Sequence, residues 1–314
     1  MRRASSPSWK SAVAPGAAMR PAGAPSAAAA LRAPNAGGLS PRAATIVALL
    51  FICITVIASA GAAQFQRRGG RFGFGQIRPN PSYDGAWMFC RIMFRNASNG
   101  DGNGWAVDYP RADQNLSFRL SELTRTPVSH DGAGNFNHSV LQLTDAATLS
   151  HCPFIMMTEP GGTYFDEAEA IGLRTYLQKG GFLWADDFWG DYAFEHWMNE
   201  LRKALPSGEY PLIDVPLDHG LFHVLYDVRQ IPQIPSIGFW YGSGGGTSER
   251  GRDSAVPHVR AITDREGHML VVMTHNTDFG DAFEREGESR EYFERFAGPG
   301  YAFGINTLLY AMTH

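Results

Sequence analysis

The residues of this chain best suited to chemistry stand in short runs of carboxylate, imidazole and amide groups. Asp186-Asp187-Phe188-Trp189-Gly190 places two carboxylates side by side after an apolar run. Such a pair can share a proton, act as a general base or grip a hard cation. His275-Asn276-Thr277-Asp278-Phe279-Gly280-Asp281 follows another apolar run and is dense in donors, with an Asx-rich loop bonding its own backbone as the competing reading. Asp218-His219-Gly220-Leu221-Phe222-His223 carries two histidines at the spacing that would put both on one helix face for zinc, although Pro216 and Gly220 favour a turn. Asn99 to Gly104 (NGDGNG) has the alternating donors that open a calcium loop, but Pro110 stands where that loop needs its bidentate Glu. Nucleophile elbows of the G-x-S-x-G type, C-x-x-C pairs and phosphate loops are absent.

Elements that could position these runs follow from periodicity. Trp87 to Phe94, Val140 to Leu143, Phe154 to Met157, Phe182 to Ala185 and Leu270 to Met273 are nearly continuous apolar stretches, suited to strands covered on both faces. Between them the spacing predicts helices: one near Asn115 to Thr124, one opened by the capping-box pattern Asp166 to Glu169 and ended by Gly180-Gly181, and one capped by Asp191 and stopped by Pro206. A last helix opens at Pro299 and runs to about Met312. Alternation of this kind predicts an α/β fold of three layers, a mostly parallel sheet with helices on both faces. Gly242 to Asp253 reads as a flexible surface insertion.

In open parallel sheets ligands collect at the carboxyl ends of the strands. That rule selects Asp186 and Asp187 as the candidate catalytic pair. Trp105, Tyr109, Glu159, Trp189, His219, His275, Asn276, Asp278 and Asp281 are the candidate ligand-binding residues.

The N-terminal part has a different character. No Asp or Glu precedes Asp84, and residues 1–42 form a basic Ala/Pro-rich extension that cannot bury a core. Residues 43–63 pair that basic flank with an apolar run and a small-residue ending, the layout of a signal peptide or of a transmembrane anchor. Residues 64–84 read as a linker and 85–314 as the α/β domain. The expectation is a periplasmic or otherwise extracytoplasmic domain, held to the membrane through its N-terminal segment if that is uncleaved. Removing the six basic residues before Ala43 leaves 21 Lys and Arg against 31 Asp and Glu, an acidic balance that argues against nucleic acid. Cys90 and Cys152, each in or beside an apolar strand, read as buried free thiols.

From about Trp87 to His314 the chain resembles the bacterial domain-of-unknown-function family 4159. The resemblance is carried by Trp105 with Tyr109, Gly161-Gly162, Gly180 to Asp187 (GGFLWADD), Pro216 to His223 (PLDHGLFH) and Asn276 to Asp281 (NTDFGD). The same segments are more distantly similar to the flavodoxin-like fold of class I glutamine amidotransferases, including its trehalose-utilisation-protein-like branch. There a Gly-Gly pair leads to a cysteine elbow, a position taken here by Asp186, Asp187 and Phe188. Glutaminase chemistry needs the thiolate. The resemblance therefore implies a scaffold whose reactive position has become acidic.

Two functions fit. One is a binding or scaffolding domain that holds a small polar ligand, a cation or an envelope protein partner at the acidic edge, with modest pKa perturbation and a shallow pocket. The other is a metal-assisted hydrolase acting on a carbohydrate or cell-envelope substrate, which requires His219 or His275 close to the Asp186-Asp187 pair, with His223 as a further candidate. No cofactor and no particular metal is legible.

Overall fold

The computed structural model describes residues 79–314. The basic extension and the expected export segment at 43–63 lie outside the described residues. Among the described residues no helix is long and apolar enough to cross a membrane.

Seven strands form the central sheet, in the order β3-β1-β4-β6-β9-β8-β7. These are β1 (Phe89–Ile92), β3 (His138–Leu141), β4 (Phe154–Thr158), β6 (Phe182–Phe188), β7 (Leu212–Asp214), β8 (His258–Thr263) and β9 (Met269–His275). β3, β1, β4, β6 and β9 are parallel, while β8 runs antiparallel to both its neighbours. A small antiparallel pair, β2 (Arg95–Asn96) with β5 (Thr163–Tyr164), lies apart from it. The mostly parallel three-layer α/β fold is thus present.

The continuous apolar runs are explained by two cores. Phe154, Met156, Trp184 and Val272 face one layer, with Leu116 of α1 (Arg111–Leu123), Phe283 of α6 (Phe279–Glu284) and Phe303 of α7 (Gly298–Thr313). Ile155, Met157, Leu183 and Met273 face the other, with Leu173 of α3 (Glu167–Gln178) and Trp197 of α4 (Gly190–Ala204). A short α2 (Ala146–Leu149) adds Leu149 to that second layer.

The capping box opening α3 is formed in full: the Glu169 amide donates to the Asp166 side chain, and the Asp166 amide to Glu169 Oε2, both at 2.9 Å. Three local expectations are corrected. Asp186 and Asp187 lie within β6, because the strand continues past Ala185 with a register shift against β9. α4 begins at Gly190 with Trp189 at its N-cap position and no side-chain cap, so Asp191 stands in the first turn rather than capping. The stretch Gly242 to Asp253 does lie at the surface, but it is tied to the domain: it starts at the last residue of α5 (Ile237–Gly242), Glu249 accepts the Ser236 amide at 2.7 Å, and Gly251–Ser254 form a short 3-10 turn.

The cysteines are not free. Cys90 of β1 and Cys152, just before neighbouring β4, form a disulfide with their Cα atoms 6.1 Å apart. Adjacency of β1 and β4 in the sheet, invisible from a separation of 62 residues, brings them together.

Candidate functional site: a buried carboxylate cluster

Among the described residues four non-glycine positions have left-handed backbone: Asp108 (φ 61°), Glu159 (φ 49°), Asp187 (φ 59°) and Asn276 (φ 62°). Three of them stand at the carboxyl ends of parallel strands, Glu159 after β4, Asp187 near the end of β6 and Asn276 after β9. Asp108 lies in the loop before α1. Residues in this conformation cost free energy and concentrate where function holds them.

Asp108, Asp187 and Asp278 converge there. Each is buried, and one carboxylate oxygen from each lies within 4.8 Å of the others. Asp187 Oδ1 accepts from Trp189 Nε1 at 2.9 Å, and Asp278 Oδ1 accepts the Asp281 amide at 2.6 Å as the cap of α6. Asp108 Oδ2 is buried and accepts no hydrogen bond from the described residues. It lies over Gly280, where a Cβ would come within 2.2 Å of it, so only glycine permits this approach.

Burial pushes all three carboxyls well above the ordinary carboxylate range, and repulsion from neighbouring carboxylates adds to it, chiefly from Asp281 for Asp108 and from Asp187 and Asp108 for Asp278. For Asp187 the next contributions come from Glu159, Asp108 and Asp186. The modest perturbation expected of a binding domain is therefore corrected: carboxyl groups are crowded here, and among the described residues no Lys or Arg is bonded to any of the three. Arg91 opposes the shift of Asp108 but is itself paired with Asp113.

Asp108, Asp281 and Glu284 form a second close group, but a guanidinium already serves it. Arg285 Nε lies 2.7 Å from Glu284 and 3.4 Å from Asp281, and Asp281 also accepts from the Ile237 amide and the Tyr292 hydroxyl. A third group, Asp264, Glu266 and His268, sits on the turn between β8 and β9, where Asp264 Oδ1 is spent on the amides of Glu266 and His268.

The other sequence candidates take varied places. Asp186 is fully buried and bonded to the Thr274 hydroxyl and, at 3.0 Å, to the Gly280 amide; burial raises its pKa to about 7. It supports the edge and does not face an opening. Glu159 accepts the Gly104 amide at 2.8 Å and also bonds Asn103, so it holds the Asn99 to Gly104 loop, whose Asp101 is paired with Arg250. Asp101 and the Asn103 side-chain amide of that loop are thus engaged by protein partners. Asn276 accepts the Gly190 amide at 2.8 Å and donates to Val256. Trp105 is in the core with its ring 5.6 Å from Tyr109, and Trp189 is 7 % exposed, turned to Asp187 and not to an open pocket.

Neither histidine joins the aspartate pair. His275 projects to the opposite face of the sheet from Thr274, stacks on Phe188 and bonds the Gly190 carbonyl at 3.0 Å, and burial lowers its pKa to about 4. His219 caps a 3-10 turn and lies against Tyr310, which packs on Phe182 at the amino end of β6. His223 bonds Asp227 and the Leu217 carbonyl. The helical zinc pair is replaced by the turn that Pro216 and Gly220 favour.

Asp108 was not among the residues the sequence singled out. Its only signal is an acid between Trp105 and Tyr109-Pro110, at the entry to a helix. A cavity of about 900 Å3 lies along α3, beside Leu143, Cys152, Gly172 and Gly180, and includes none of these acids.

A search of curated proteins finds no match. A family model does match, over residues 94–312, a span that takes in the whole carboxylate cluster. The chain belongs to the family described as domain of unknown function DUF4159.

Proposed function

We propose that this domain binds a hard divalent cation between Asp108, Asp187 and Asp278, and uses it to hold a polar ligand at the carboxyl edge of the sheet. The observation that carries the reading is the buried, unpartnered Oδ2 of Asp108 beside two further buried carboxylates. Three such groups stripped of water are strongly unfavourable as anions unless protonated or matched by positive charge. An all-oxygen donor set favours magnesium, calcium or manganese over zinc.

Export of the domain is part of the same proposal. The Cys90–Cys152 disulfide supports it, since such bonds persist in oxidising compartments. The kinship with amidotransferase-like folds is supported by Asp187, which presents a side chain from a left-handed position at a strand-to-helix turn, as a nucleophile elbow does. A carboxylate there supplies a ligand instead of a thiolate.

Hydrolysis assisted by the cation is the second reading. It is favoured by the strained backbone of Asp187 and by a neighbouring Asp186 whose pKa is near neutrality. In this version Asp108, Asp187 and Asp278 would hold the cation, which would supply an activated water, with no histidine required.

Titration calorimetry of the chelator-treated protein with magnesium, calcium and manganese tests the centre. Saturable binding of one ion per chain, weakened at least tenfold in Asp187→Asn and Asp278→Asn, is expected. Equal binding by wild type and both variants would sink the reading.

A further inference from the structure

A second cavity, about 340 Å3, lies beside the outer strand β3 and is lined in part by Tyr109, Gln114, Asn135, Phe136, Asn137 and His138. Its chemistry differs from that of the carboxylate cluster. Among the described residues no Lys or Arg lines it, so no fixed positive charge there selects an anion. Its one carboxylate, Asp131, is consumed by its own turn: Oδ1 accepts the amides of Ala133 and Asn135 at 2.9 Å, and Oδ2 accepts the Asn135 side chain at 3.0 Å. That leaves no charged oxygen to hold a cation.

Neutral polar groups remain. Asn137 donates to Ser129 Oγ at 2.9 Å and Asn135 to Asp131, which leaves the Oδ1 acceptor of each side chain uncommitted. The Gln114 side chain, half-buried in the first turn of α1, makes no hydrogen bond to the described protein and offers both a donor and an acceptor. Phe136 is half-buried and held edge-on by Phe118 at 6.0 Å. Fixed neutral donors and acceptors beside an aromatic ring match a ligand with ordered hydroxyl groups and apolar C–H faces. The volume is near the lower end of small-ligand pockets, about 300 to 1,000 Å3, which suits one ring.

We propose that this cavity binds a single ring of a neutral carbohydrate, with Gln114, Asn135 and Asn137 hydrogen-bonding its hydroxyls and Phe136 packing on its C–H face. The subsite goes beyond the cation reading and does not depend on it.

The test uses the full chain in chelator, with glucose, galactose and N-acetylglucosamine as probes in saturation-transfer NMR and titration calorimetry. At least one sugar is expected to bind saturably in the millimolar range. Gln114→Ala and Phe136→Leu, checked for an unchanged melting temperature, are expected to weaken it at least fivefold, and Asp187→Asn to leave it unchanged. No saturable binding of any of the three sugars overturns the proposal. So does binding that survives both cavity variants, or that disappears in Asp187→Asn and so places the sugar at the carboxylate cluster.

Discussion

Arg91 Nε donates to both carboxylate oxygens of Asp113 at 3.0 Å, and neither side chain reaches solvent. The same guanidinium reaches Thr158 Oγ1 at 2.8 Å and the carbonyls of Trp105 and Val107 at 3.1 Å. One side chain therefore fastens β1 to α1, to the end of β4 and to the loop that delivers Asp108. Removing one member of a buried pair strands the other charge at a cost of about 3 to 5 kcal/mol. Arg91→Met is expected to lose that much in urea unfolding and to weaken cation binding. Arg91→Met with Asp113→Leu should recover part of the stability without recovering the cation.

Asp108→Asn removes a buried negative charge from the cluster. Protein in chelator should melt at a higher temperature with this substitution than without it, while the gain in melting temperature on adding magnesium or calcium should shrink. A lower melting temperature in chelator would show that the carboxylate is matched by protein groups alone.

His275 supplies a pH dependence with a definite sign. Its folded pKa, about 4, lies below the ordinary histidine value of 6.5, so between those values the unfolded chain binds a proton that the folded one refuses. Stability from this group is complete above pH 6.5 and is lost as pH falls toward 4, by roughly 3 kcal/mol at most. Unfolding free energies at pH 7 and pH 4.5 should differ less in His275→Gln than in the wild type.

The disulfide closes a loop of 62 residues. Chain-entropy arguments give such a crosslink about 4 kcal/mol. The paired variant Cys90→Ser with Cys152→Ser should lose stability of that order in urea. Because both cysteines are almost wholly buried, native protein should resist a mild reductant until it unfolds, as free-thiol counting would show.

Gly172, in the middle of α3, lies against the loop after β3. A Cβ there would stand 2.0 Å from the Leu143 carbonyl oxygen, a backbone atom with little room to yield. Gly172→Ala should destabilise by about 1 to 3 kcal/mol, against the gain in helix propensity that alanine normally brings. Thermal unfolding decides the sign.

Legibility in the sequence followed the range of the interactions. The capped start of α3, the Gly180-Gly181 stop and the runs Phe154 to Met157 and Phe182 to Ala185 depend on neighbours within a few residues or on burial from both sides, and they were readable. β7 and β8, with exposed Leu212 and Ile213 and a half-buried Arg260, carry no such pattern, and their pairing is settled only in space. Asp187 and Asp278 were visible because they end or follow apolar strands. Asp108 was not, since its position depends on Arg91 and on the absence of a side chain at Gly280, both far away in the chain. The histidines misled for a related reason: spacing reports a shared face only on a helix, and His219 to His223 is a turn.

Asn80 treats β3 as another strand would, accepting the Val140 amide through Oδ1 and donating Nδ2 to the Val140 carbonyl, each at 2.9 Å. One flank of the sheet is thereby sealed at its midpoint by a side chain, while β7 on the other flank stays exposed. Among the described residues, an added strand would therefore meet a competing side chain at β3 and an unobstructed backbone edge at β7.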